Sequence, residues 1–262
     1  MNRIEDYEVL KFNIVRWLKD YYWENNLKSF VVGVSGGIDS AVVSTLCAET
    51  GLPTYVVCLP LDSTHENSKL SEDHAKALKE KYDNVTQVFV ELSSVYDQFI
   101  HSVEWWSDAH GHGKRQFTED QLACANTKSR IRMITLYQIA GSKGGIVVGT
   151  GNKVEDYGIG FYTKYGDGGV DIAPIADLYK TEVWELGKHL GVDERIIDAE
   201  PTDGLWDDDR KDEDQIGASY EQLEEAMEYR RGPALDILDE FYNKNKHKME
   251  PIPTFKLQEV RL

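Results

Sequence analysis

One short string in this chain has the residue types needed to hold phosphate. Ser35-Gly36-Gly37-Ile38-Asp39-Ser40 follows the apolar run Phe30-Val31-Val32-Gly33-Val34 and opens a helical pattern. A strand-to-helix turn presents backbone N–H groups and the positive end of a helix dipole. Paired glycines let the chain wrap closely about an anion and adopt positive φ. Ser35 and Ser40 add hydroxyl donors. Asp39 would repel a phosphate, so its presence makes sense as a ligand for Mg2+ bridging to the phosphates. The candidate phosphate-binding positions are Gly33, Val34, Ser35, Gly36, Gly37, Ile38, Asp39 and Ser40. A plain turn whose Asp and Ser cap a helix would explain a bare Gly-Gly; the full string after a buried strand argues for the anion cradle. The chain has no G-x-x-x-x-G-K-[ST], so a Walker-type kinase or ATPase is not indicated,.

Such a loop needs a sheet to carry it, and the sequence supplies one. Phe30 to Val34, Thr54 to Leu59 and Gly145 to Gly149 are short apolar runs, and Val85 to Val90 is a more alternating one. Runs of this kind fit parallel strands covered on both faces. Helical patterns lie between them. Ile38 to Thr50 stops at Gly51, Glu66 to Tyr82 reads as a surface helix, and a long helix starts at a Thr118/Gln121 capping box and ends at Gly141,. Tyr7, Leu10, Ile14, Trp17, Leu18 and Tyr21 mark an aromatic amphipathic helix over 4–24,. Strand–helix alternation predicts a doubly wound α/β fold, a parallel five-stranded sheet with helices on both faces. After Gly169 helices follow at Asp177–Leu190, Glu194–Asp198, Tyr220–Tyr229 and Leu235–Tyr242. The expected organisation is one domain over 1–262, with a core at 30–190, a mobile acidic loop at 201–216 and C-terminal helices at 219–246,. His101 to Gln116 is expected to be irregular. Its His110 and His112 read as loop residues, since no third metal ligand stands near them,.

Composition narrows the function classes. The 262 residues carry a net charge of −17, which opposes binding to nucleic acid and to anionic membranes. Cys47, Cys58 and Cys124 form no C-x-x-C pair and read as small buried hydrophobes,. The N-terminus lacks a signal-peptide core and no apolar run is long enough to span a bilayer, so a cytoplasmic location is expected,.

Other residues carry chemistry further along. Gly149-Thr150-Gly151-Asn152-Lys153-Val154-Glu155 follows the fourth apolar run, and Glu155 reads either as a helix-start acid or as a second Mg2+ ligand,. Lys180 lies near a helix start, where a cation opposes the dipole unless an anion sits there,. Arg130 lies beside an apolar stripe with Ile134 and Tyr137, placed to snorkel outward or to grip a phosphate,. Asp167 sits between Gly166 and Gly168, either as a turn residue or near a reacting group,.

The S-G-G-x-D-S string resembles the PP-loop of the ATP pyrophosphatases, which cleave ATP between the α and β phosphates. Thr150 to Glu155, followed by Thr163-Lys164-Tyr-Gly-Asp167-Gly-Gly-Val-Asp171, Asp177-Leu-Tyr-Lys180-Thr and His247-Lys248, resembles the NAD synthetases within that group over nearly the whole chain. The resemblance implies an adenine-nucleotide α-hydrolase-like fold whose first and fourth strands are neighbours. Ligands in such sheets bind beyond the carboxyl ends of the strands, which lets Asp39 and Glu155 meet over one Mg2+. It implies ATP contacts at Thr150, Lys180 and Thr202. It implies contacts to the substrate, nicotinate adenine dinucleotide (deamido-NAD), at Arg130, Lys164, Asp171, His247 and Lys248. It also implies a homodimer with the dinucleotide between subunits, a role with which the aromatic first helix is compatible. Two departures stand out. Ala125 to Ser129 does not follow the family's text before Arg130, and no arginine follows Leu59-Pro60 to contact ATP.

The expected reaction is ATP-dependent amidation of deamido-NAD through an acyl-adenylate, with ammonia as nucleophile and Asp39, Glu155 and Asp167 as its catalytic residues; Asp167 is the candidate acceptor of ammonium's proton. Ammonia is expected because no amidase domain precedes Ser35, unless a separate subunit supplies one. The rivals are another PP-loop adenylating enzyme, such as a tRNA-modifying one, and a non-catalytic nucleotide-binding protein. The acidic surface and missing C-x-x-C argue against the first, and the pairing of Asp39 with Glu155 against the second.

Overall fold

A computed structural model describes residues 3–61, 65–111, 113, 117–201 and 211–256. Four parallel strands form one sheet in the order β3-β2-β1-β4: β1 (Phe30–Val34), β2 (Thr54–Cys58), β3 (Val85–Phe89) and β4 (Ile146–Val147). The first and fourth strands are neighbours, with Phe30 opposite Ile146 and Val31 opposite Val147.

The fifth strand of the expectation is reduced to one parallel bridge, Val148 to Ile172. Gly149 N–H donates to Ile172 O at 2.7 Å and Asp171 N–H to Val147 O at 2.9 Å, and there the ladder stops. Gly168-Gly169 turn the chain just before this segment, and Pro174, which has no N–H, follows it,.

Alternation along β1 divides the core. Phe30 and Val32 face α1 (Tyr7–Glu24), α2 (Ile38–Glu49) and α6 (Lys180–Leu190), packing with Leu18, Leu46 and Leu186. Val31 turns to the other face, against Ile131 and Ala140 of α5 (Gln121–Lys143). Gly33 shares that face because α5 approaches closely: a Cβ there would lie 3.1 Å from Leu136 Cδ1. α3 (His65–Lys81) covers β2 and β3 through Ala75 and Leu78. Helices thus cover both faces, as expected for parallel strands.

Several boundaries differ from the sequence reading. α5 starts at Gln121 because Asp120, not Thr118, caps it, accepting from Ala123 N–H at 3.0 Å; the Thr118 hydroxyl donates instead to Glu104. α5 runs past Gly141 to Gly144, which takes the left-handed cap at φ 62°. The stretch expected to be irregular from His101 begins inside α4 (Ser93–Ala109), on which Trp105 and Trp106 are exposed. α6 starts at Lys180 rather than Asp177, because the Glu182 side chain accepts the Tyr179 N–H at 2.8 Å.

A second core forms where the C-terminal helices meet a π-helix, Lys153–Ile159. Val154 and Ile159 pack with Tyr179, with Ile216 of α8 (Asp212–Ile216), with Tyr220 and Leu223 of α9 (Tyr220–Tyr229), and with Leu238 of α10 (Leu235–Met249). A short α7 (Glu194–Ile197) follows α6. α10 is longer than expected, so His247 and Lys248 sit on a helix rather than in a tail. Asn245 fastens it by donating to Ile159 O at 2.8 Å. The acidic loop expected at 201–216 contains α8; its central residues, Thr202 among them, lie outside the described ones.

Candidate active site

The phosphate string lies at the carboxyl end of β1, where it lines a cavity of about 300 Å3, within the size range of small-molecule sites. Gly36 adopts φ 94°, a conformation that favours glycine,. The serine hydroxyls do not simply point outward as expected. Ser40 Oγ donates to Gly37 O at 2.9 Å and accepts the Ser35 N–H at 3.2 Å, while Ser35 Oγ accepts the Gly37 N–H at 3.2 Å. The hydroxyls therefore fix the loop's shape. The cradle is not filled by packing: a Cβ on Gly37 would meet only Ser35 Oγ, at 3.4 Å.

Asp39 enters the cavity from the first turn of α2, and Glu155 from the π-helix. Such wide turns recur at functional sites, and this one brings Glu155 and Asp156 into the same cavity from consecutive positions. Asp39 and Glu155 converge on a single ammonium. Lys180 Nζ donates to Asp39 Oδ2 at 2.6 Å and to Glu155 Oε1 at 2.9 Å. The lysine is the first residue of α6, and the two carboxylates offset its conflict with the helix dipole,. Burial alone would lift the Glu155 carboxyl, but Lys180 and the Tyr220 hydroxyl overcome it and hold Glu155 below the usual range. Burial pushes Asp39 upward, only partly opposed by Lys180, and the charge of Glu155 adds to the rise.

Two residues not anticipated from sequence hold this group. Asn152 is fully buried. Its Oδ1 accepts the Val154 and Glu155 N–H groups at 3.0 and 3.1 Å, which fixes its amide so that Nδ2 donates to Asp39 Oδ1 at 3.1 Å,. Tyr220, also fully buried, donates to Glu155 Oε1 at 2.8 Å and lays its ring 5.0 Å from Lys180 Nζ. Two carboxylates converging on one cation position, each 17% exposed, form a donor set suited to Mg2+.

Asp167 lines the same cavity. Its Oδ1 accepts from Ser129 Oγ at 2.7 Å and from the Thr163 N–H at 3.0 Å. Burial among protein groups nonetheless raises its carboxyl above the usual range. Asp156 is also raised, to about 8, by burial and by the charges of Glu155, Asp167 and Asp39. Thr150 completes the rim with Gly149 and Gly151.

Comparison with known proteins identifies the family. The profile of the family described as NAD synthase matches residues 11–253. The chain belongs to the NAD synthase family. It is 35% identical over 241 residues to the NH(3)-dependent NAD(+) synthetase of Carboxydothermus hydrogenoformans, covering 90% of this chain and 92% of that one. It is 32% identical to the same enzyme of Finegoldia magna, covering 96% and 97%. Among solved structures it resembles the NMN synthetase of Francisella tularensis, with a TM-score of 0.86 and 31% identity over 97% of this chain and all of that one. It also resembles the NH3-dependent NAD synthetase of Campylobacter jejuni, with a TM-score of 0.74 and 25% identity over 97% and 100%.

In this NAD synthase the residues expected to contact the dinucleotide lie outside the cavity wall. Arg130 is exposed and donates to Lys164 O, at 3.4 Å from Nε and 3.3 Å from Nη2. Lys164 Nζ in turn reaches His247 O at 3.3 Å, so these three residues form one group. Lys248 sits beside them with its ammonium on Gly160 O and Tyr162 O at 2.5 and 2.8 Å, and burial lowers its pKa. Asp171 is separate. Its carboxylate accepts the Val147 N–H at 2.8 Å and the Tyr137 hydroxyl at 3.1 Å, a use that ties α5 to the sheet edge. No cation follows Leu59-Pro60, but Arg132 of α5 lines the cavity and donates to Leu59 O at 3.2 Å and Leu61 O at 3.4 Å. His110 stacks on Trp106 and its Nδ1 lies 2.8 Å from Trp106 O; His112 is outside the described residues.

Proposed function

We propose that the protein amidates deamido-NAD with ammonia, converting ATP to AMP and diphosphate. The observation that carries this reading is the meeting of the Ser35–Ser40 cradle with Asp39, Glu155 and Lys180 in one cavity. The loop's remaining N–H groups, Gly36 among them, face the triphosphate, and Thr150, together with Thr202, adds ATP contacts. Asp39 and Glu155 would hold Mg2+, which would neutralise charge on the phosphate oxygens. A carboxylate oxygen of the nicotinate attacks the α-phosphorus, and the bond to the leaving diphosphate breaks. Preorganised donors favour this charge movement, and Lys180 faces the departing diphosphate. Ammonia nitrogen then attacks the acyl carbon, AMP leaves with the electron pair, and the nitrogen releases one proton to solvent as the neutral amide forms. Asp167, whose raised carboxyl can accept a proton, takes one from ammonium,. Arg130, Lys164 and Lys248 form the cationic group facing the dinucleotide, with His247 beside them, and Asp171 supports it from the sheet edge.

The active unit in this reading is a homodimer. Phe99 and Trp105 on α4, and Leu122 and Ile134 on α5, are 48%, 65%, 60% and 56% exposed, apolar side chains that a second copy of the chain would cover. No helix among the described residues is long and apolar enough to cross a membrane. We place the enzyme in the cytoplasm, with its ATP.

One observation favours a second reading, in which the acceptor is the nicotinate mononucleotide: the structural match at TM-score 0.86 is an NMN synthetase. Incubation with ATP, Mg2+, ammonium and either acceptor, with chromatography of AMP, NAD and NMN, separates the two. NAD with equimolar AMP supports the first reading, and preferential NMN supports the second. ADP as the only nucleotide product, or no turnover, refutes both.

A further inference from the structure

The ammonium of Lys180 stands where both acids point. Its Nζ touches Asp39 Oδ2 and Glu155 Oε1, and the ring of Tyr220 lies 5.0 Å away. The lysine side chain is 3% exposed and each carboxylate 17%, and all three line the cavity. Without that ammonium, two carboxylates would lie buried together with no counter-charge, a costly arrangement. Mg2+ binds carboxylate oxygens at roughly 2.0–2.1 Å, so a metal held by both acids would sit in the gap between them that Lys180 Nζ now fills. A dication and an ammonium cannot share that gap without strong repulsion. The metal therefore requires Lys180 to move, and a buried ammonium moves only toward another anion. The glycine cradle in the same cavity is the place for one.

We propose that Lys180 is the resident cation of the site: it bars free Mg2+ and yields only when a polyphosphate arrives with the metal and draws the ammonium away. The proposal rests on the reading of Asp39 and Glu155 as metal ligands. It adds an order of binding, metal–polyphosphate together rather than metal first.

Thermal melts and isothermal titrations of the wild type, Lys180→Met and Lys180→Gln test it, using MgCl2 alone and MgCl2 with inorganic pyrophosphate. Ionic strength must be matched with NaCl, because a chain of net charge −17 responds to any salt,. The wild type should be unmoved by millimolar MgCl2 alone and stabilised by MgCl2 with pyrophosphate. Lys180→Met should melt lower without metal and bind Mg2+ alone at least about tenfold more tightly than the wild type, with a matching rise in melting temperature. If the methionine variant does not fold, Lys180→Gln, which fills the gap with a neutral amide, should show the same gain. Stabilisation of the wild type by MgCl2 alone, or folded variants with no gain in Mg2+ affinity, would overturn the proposal. A wild type indifferent to Mg2+ with pyrophosphate would instead refute the reading of the cavity as a polyphosphate site.

Discussion

Replacing Asn152 by aspartate changes one donor into a charge at the centre of the site. In the native protein Nδ2 donates to Asp39 Oδ1 at 3.1 Å while Oδ1 caps the π-helix. Asn152→Asp keeps the cap and sets a second carboxylate against Asp39. At that distance, with an effective dielectric constant of about 20, repulsion between two unit charges is about 5 kcal/mol. Protonating the new acid at pH 7 costs less, about 4 kcal/mol, from an ordinary aspartate value near ~3.9 and about 1.4 kcal/mol per pH unit. The new group therefore takes up a proton on folding and donates it to Asp39. Its folded-state pKa is raised, so the penalty is absent below the ordinary value and grows as pH rises toward the folded one. At pH 5 the same arithmetic leaves about 1.5 kcal/mol. For a domain of this size these penalties correspond to melting-temperature losses of about 8–16 °C at pH 7 and about 3–6 °C at pH 5. Melts of wild type and variant followed by circular dichroism at both pH values measure the difference directly. Equal losses at the two pH values, or none at pH 7, would refute the assigned amide orientation between Asn152 and Asp39.

Further outcomes follow from the same geometry. Tyr220→Phe keeps the ring beside Lys180 but removes the hydroxyl from Glu155, so it should destabilise by about 1.5–3 kcal/mol and raise the Mg2+ concentration needed for half-maximal rate; unchanged values for both would remove Tyr220 from the site,. Asp156→Asn should stabilise the protein at pH 7 by a few kcal/mol, about 1.4 per pH unit of displacement, because the native carboxyl is pushed up to about 8. Its raised folded pKa means that the native acid costs stability as pH rises from about 4 toward 8, so the variant's advantage should fade on titrating back toward pH 4,. Gly145→Ala would place a Cβ 2.5 Å from Ser29 O, and a loss of about 1–3 kcal/mol in chemical denaturation is expected from that overpacking. The pair Trp105→Glu and Leu122→Glu should shift the species seen by light scattering from dimer to monomer; a wild type that is itself monomeric would remove α4–α5 as the interface.

The parts of this site legible in the sequence are those with a local signature. The run Phe30–Val34 and the glycines after it announced the strand and its phosphate loop, because burial on both faces and positive φ each select residue types,. Lys180 was legible as a cation placed against a helix dipole,. Asn152 and Tyr220 were not. Each is a buried polar residue whose partner lies far away in the chain, 113 residues for Asn152 with Asp39 and 65 for Tyr220 with Glu155. Weak signals were present in both cases. Asn152 stands at a helix N-cap just after a strand, and Tyr220 begins an apolar stripe with Leu223 and Ala226,. The start of α5 was misread because Thr118 and Asp120 are both competent caps, and tertiary contact with Glu104 engages the threonine. α4 was not anticipated, because its exposed tryptophans give no core-facing period. The fifth strand was overcounted because Asp171 and Ile172 carry strand-like bonds too few to extend a ladder.

The central claim is that this cavity activates a carboxylate with the α-phosphate of ATP, using Asp39 and Glu155 around one metal. Exchange of labelled diphosphate into ATP tests it most directly, with Mg2+ and deamido-NAD present and ammonium omitted. Label should enter ATP only when the acceptor is present, and Asp39→Asn should abolish the exchange while the protein remains folded. Label that stays in diphosphate with the wild type, or exchange that survives in Asp39→Asn at near-normal rate, would contradict the account.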